Sequence, residues 1–137
     1  MNKISYYLVI IVGVITCLGF FPHAFMGMQG VLDHISKGEI QQSAANGMQM
    51  IWLYSSVMML VSGVWLLILA NHILIGSHKA RLQVLVLGIG LTFFGLGCTY
   101  ISGKIDAMFV FTIQGIVLIV ATTFFYKKAH HLYEHEH

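Results

Sequence analysis

LQVLVLGIGLTFFGLGCTYISG, residues 82–103, is the stretch on which the reading of the chain turns. No charge lies between Arg81 and Lys104. A helix rises about 1.5 Å per residue, so roughly 20 apolar residues cross the ~30 Å hydrocarbon core of a bilayer. At about 100° per residue, Gly88, Thr92, Gly95, Thr99 and Ser102 share one face, and Gly90 and Gly97 fall roughly opposite. Lipid supplies no hydrophobic drive for helix association, so small residues mark where backbones approach. A helix small on two faces is expected to pack on both sides, as the hub of a membrane bundle.

The surrounding composition agrees. The chain has 137 residues, 58% hydrophobic and 9% charged, whereas soluble domains carry about a quarter charged residues. A water-soluble domain of this size could not hide so much apolar surface. With one proline and few polar runs there is little room for linkers, and a single domain, residues 1–137, is expected. A net charge of +2, scattered along the chain, excludes a nucleic-acid footprint. Two cysteines make no disulfide framework.

Working outward, four spans are expected. The first covers about residues 4–21, led by Lys3 and ended or kinked by Pro22. A cleaved signal peptide is the rival reading of this stretch, with Val14-Ile15-Thr16-Cys17 as a poor lipoprotein-type site. An outer connector, 22–47, carries Val31, Leu32, Ile35 and Ile40 as a partial stripe for a short interfacial helix. The second span is 48–70, the inner loop 71–81, the third span 82–103, the fourth 107–126, and the polar tail 127–137. Lys3, Lys79, Arg81, Lys127 and Lys128 lie on one side, against Lys37 and Lys104 on the other. The positive-inside rule then puts both termini in the cytoplasm. The fold class is all-α: a four-transmembrane-helix bundle, N-in and C-in, with an extracytoplasmic connector. A bacterial inner membrane is the expected location.

No Asp, Glu, Lys, Arg or His lies in the middle of any expected span. Proton relays and ion-coupled transport usually need such groups, so a pump is disfavoured. Chemistry is expected at the outer end instead. The preferred reading there is a ligand pocket in which His23 orients the ligand, Trp52 and Tyr54 wall it, and Asp33 or Gln49 supplies hydrogen bonds. The ligand would be a hydrophobic small molecule, a lipid or a membrane-protein partner, and the role accessory rather than enzymatic. A second reading groups His23, Met26, Met28, Met48 and Met50 as a copper(I) site, because thioether and imidazole suit that ion. The bland reading of these methionines is gap-filling at helix ends. A third reading pairs Cys17 with Cys98 in a thiol- or quinone-linked oxidoreductase. The tail histidines His130, His131, His135 and His137 alternate with Glu134 and Glu136 and could bind a divalent metal adventitiously. The small faces of the third span also fit a homo-oligomer.

GFFPHAFMG, residues 19–27, together with the size and the four spans, resembles small bacterial DoxX-like membrane proteins. The resemblance implies a small four-helix membrane protein, in a group partly tied to quinone- or thiol-linked oxidation. It carries no active-site residue across.

Overall fold

A computed structural model describes residues 2–126. Within them the structure is all-α. A helical rod, Lys3–Ser36, comprises α1 (Lys3–Pro22), a π-turn (His23–Gly27) and α2 (Met28–Ser36). It is followed by α3 (Gln42–Leu74), α4 (His78–Ser102) and the shorter α5 (Phe109–Thr123). The rod, α3 and α4 are long and apolar enough to cross a membrane. The 15 residues of α5 extend only about 22 Å. The exposed surface is greasy: Phe93, Tyr100 and Ile101 are 72%, 88% and 86% exposed. Such surface is costly in water and costs nothing in lipid.

The boundaries differ from those expected of the sequence. Pro22 does not end the first helix, which continues in the αR conformation through it. A proline inside a helix removes one donor and crowds the carbonyl four residues back, and here a π-turn, His23–Gly27, follows it directly. The connector is therefore mostly helix and breaks only at residues 37–41. There Gly38 takes φ +69°, while its N–H bonds Ile35 O and the Glu39 N–H bonds His34 O. That is a Schellman ending, which needs the left-handed conformation glycine adopts freely. The same device closes α3. Gly76, at φ +85°, bonds Ile73 O and Ser77 bonds His72 O, and the Ser77 hydroxyl then accepts from Ala80 N–H to cap α4. Expected as residues 71–81, the inner loop shrinks to Ile75-Gly76-Ser77.

The described residues fall into two compact units. One joins residues 2–12 to 66–126. Its core includes Val9, Leu66, Ile73, Val84 and Leu118, all fully buried. Two polar contacts tie the chain start into it: Asn2 Nδ2 donates to Ile73 O at 3.1 Å and Ser5 Oγ to Ala121 O at 2.7 Å. Within this unit α4 and α5 pack antiparallel at near-backbone distance. A Cβ on Gly115 would lie 2.4 Å from Gly88 O and 2.5 Å from Thr92 N, and one on Gly95 would lie 2.5 Å from Thr112 N. The small face Gly88/Thr92/Gly95 is thus used as expected. The opposite one is not: a Cβ on Gly90 or Gly97 meets nothing within 4 Å. The physical reason is connectivity. A short turn returns α5 along one face of α4, and no described element covers the other. Thr92, Thr99 and Thr122 bond carbonyls four residues back on their own helices. Ser55 and Ser56 also bond a carbonyl of their own helix, Trp52 O, and Ser56 in addition reaches His23 on the neighbouring helix. The second unit, Gly13–Trp65, holds the candidate site.

Candidate functional site

In the second unit α1 runs antiparallel to α3, and small residues set the register. A Cβ on Gly63 would come within 2.5 Å of Cys17 Sγ and 2.9 Å of Gly13 O, and one on Gly19 within 3.1 Å of Met59 Cε. Continuing the same register brings the π-turn against Trp52 and Ser56. A Cβ on Gly27 would lie 2.1 Å from Trp52 Cζ2, so only glycine leaves room for the indole there.

His23 lies flat on Trp52. Their ring centroids are 4.6 Å apart and the planes differ by 8°. The indole Nε1–H donates to His23 O at 2.7 Å, which satisfies a carbonyl in the π-turn. His23 Nδ1 sits 2.8 Å from the Ser56 hydroxyl, and that hydroxyl sits 2.8 Å from Trp52 O. A carbonyl only accepts, and a serine has one proton to give. Both contacts are hydrogen bonds together only when Ser56 donates to Trp52 O and accepts from Nδ1–H. A neutral imidazole is then the Nδ1–H tautomer, with a lone pair on Nε2. Among the described residues no hydrogen bond uses Nε2. A half-buried ring with one oriented lone pair can accept from a ligand hydroxyl or amide, or donate to a soft metal ion.

The other expected site residues are placed variously. Gln49 lies half-buried, three residues before Trp52 on α3. Tyr54, 67% exposed, follows Trp52 by two residues and so stands roughly 200° round the helix from it. Asp33 is exposed and pairs with Lys37 at 2.6 Å, one turn along α2. His34 pairs with Glu39 in the same region. Among the methionines, Met28 is half-buried, while Met26 and Met50 are 70% and 73% exposed. Met48 and Met50, two apart on a regular helix, diverge. Cys17 and Cys98 are both free thiols. The tail histidines lie outside the described residues. Ser56 is the member that reading the residues one by one missed. Its spacing of four from Trp52, on one helix face, was the available signal.

Comparison with protein families, with curated proteins and with solved structures finds no match for the chain.

Proposed function

We propose that the chain is an integral membrane protein of four spans, serving as a non-enzymatic binding or accessory protein. Its ligand is a hydrophobic small molecule, a lipid or a partner protein, taken up at the His23–Trp52 stack. The supporting observation is the His23 Nδ1–Ser56–Trp52 O chain of contacts, which in a neutral imidazole leaves an oriented lone pair on Nε2. Apolar walls with few, well-oriented polar groups are what ligand sites use. A π-turn inside a long helix often accompanies function as well. The occupant accordingly carries a hydroxyl or amide donor on an apolar body.

Native mass spectrometry of protein extracted in mild detergent tests this. The wild type is expected to carry a bound hydrophobic molecule. Losing a hydrogen bond worth about 0.5–1.5 kcal/mol lowers affinity roughly 2- to 10-fold, so H23A should lose occupancy by that order. Equal occupancy in folded H23A overturns the reading.

The same lone pair supports a second reading, copper(I) held by His23 with Met26, Met28, Met48 or Met50. Metal analysis of protein purified with copper(I) separates the two, since the binding protein comes out copper-free. In this reading the four-span architecture resembles that of small DoxX-like membrane proteins.

Both termini face the cytoplasm of a bacterial inner membrane in this reading, on the distribution of basic residues. In a chain with both cysteines replaced by serine, D33C and K37C should react with an impermeant maleimide from outside. S77C should react only after permeabilisation. The reverse pattern would invert the topology and move the stack to the inner face.

A further inference from the structure

We propose that Arg81 binds the phosphate of an anionic phospholipid headgroup, at the end of the first unit where α3 turns into α4 and α5 ends. The inference rests on the membrane reading above.

The guanidinium is held in place on two sides. Its Nε donates to Thr122 O at 2.9 Å, and its carbon lies 5.3 Å from the centroid of the Tyr126 ring. Tyr126 is itself anchored, its hydroxyl donating to Gly76 O at 2.6 Å. Arginine carries five N–H donors in a rigid fork. Here Nε is spent on the α5 carbonyl, and among the described residues no hydrogen bond uses the Nη donors. No counter-charge stands nearby in the described unit. Residues 66–105 contain no Asp or Glu, and the first turn of α4 carries none. Among the described residues of this unit the carboxylate is Asp106, beyond the other end of α4, a helix of 25 residues, about 37 Å long. Lys79 is exposed beside Arg81 and adds to the positive potential.

A positioned fork with two unspent nitrogens matches a phosphate's paired oxygens. Exposed Ile75 and Leu82 flank it, 70% and 54% exposed, and offer acyl chains an apolar surface next to the charge. Phosphate donors adjoining lipid-facing side chains select a headgroup over free phosphate. Glu134 and Glu136 follow Tyr126 in the sequence and are the competing anions within the chain.

Thermal unfolding of the full chain in detergent micelles carrying phosphatidylglycerol or phosphatidylcholine tests the assignment. Phosphatidylglycerol should raise the wild-type Tm above its value in phosphatidylcholine. R81Q should lose this increment, R81K should lose most of it, and K79Q should keep most of it. Each variant is compared with itself in the two lipids, so the lost Thr122 contact cancels. Where R81Q does not fold, R81K, which keeps the charge and loses the fork, decides. Equal increments in wild type and R81K overturn the proposal. So does the same increment from inorganic phosphate in phosphatidylcholine micelles, because the anion is then not a lipid. An increment seen only in E134Q/E136Q overturns it too, since the tail then holds Arg81. Alkaline carbonate extraction of native membranes, run beside these, reports separately on the membrane reading.

Discussion

Gly115→Ala is expected to separate α4 from α5. The new methyl would lie 2.4 Å from Gly88 O and 2.5 Å from Thr92 N, and both are backbone atoms that cannot swing aside. Helix propensity works the other way, since alanine gains up to about 1 kcal/mol over glycine in a helix. Overpacking a tight contact costs typically about 1–3 kcal/mol, more where backbone must move. The balance is destabilising, and Gly115→Val should exceed Gly115→Ala. Gly95→Ala should behave similarly, because its methyl meets Thr112 N at 2.5 Å and Thr112 Oγ1 as well. Gly90→Ala and Gly97→Ala are the controls. Their methyls enter open space, so propensity acts alone and stability holds or rises by up to about 1 kcal/mol. Thermal unfolding in one detergent compares all five. Equal losses at Gly90 and Gly115 would mean that both faces of α4 are packed, as in an oligomer through the Gly90/Gly97 face.

Gly27→Ala is expected to dismantle the candidate site while leaving the helices in place. Gly27 has φ −66° and ψ −39°, so alanine fits the backbone and the effect is steric alone. The methyl would stand 2.1 Å from Trp52 Cζ2, and the indole has to rotate away. Rotation abandons the His23 stack, worth about 0.5–1.5 kcal/mol for an aromatic pair. It also strands the Nε1–H and His23 O groups, at roughly 1–3 kcal/mol if they stay dry. In a W65F background Trp52 is the single tryptophan, since the chain has two. Its emission should change strongly in Gly27→Ala, and the bound hydrophobic molecule should be lost as in H23A. Gly30→Ala, whose methyl meets nothing within 4 Å, should leave both unchanged. Unaltered Trp52 emission in Gly27→Ala would show that the indole does not pack against the π-turn.

Much of the helical content was legible because the relevant signals are local. Hydropathy sums along the chain, so the runs around residues 4–21, 48–70 and 82–103 announce long apolar helices without knowledge of their neighbours. The small face Gly88/Thr92/Gly95 follows from helical periodicity alone. Helix ends were less legible. Pro22 reads as an end or a kink, and the helix runs through it into the π-turn His23–Gly27. Residues 42–47 read as connector for lack of apolar side chains, yet they join α3.

The candidate site was half legible. His23 and Trp52 could be singled out as a polar tip and an aromatic wall, but not as a stack. Residue composition and periodicity sufficed for an all-α chain with three membrane-length apolar helices, because burial in lipid and the 3.6-residue turn act on each segment separately. Which faces meet was decided in three dimensions, by how closely one backbone can approach another. The gaps left at Gly27, Gly63 and Gly115 set the registers that lay Trp52 on His23, turn Ser56 toward its ring, and close α5 on α4. Such fits join residues more than 20 apart in the chain, and no local pattern encodes them.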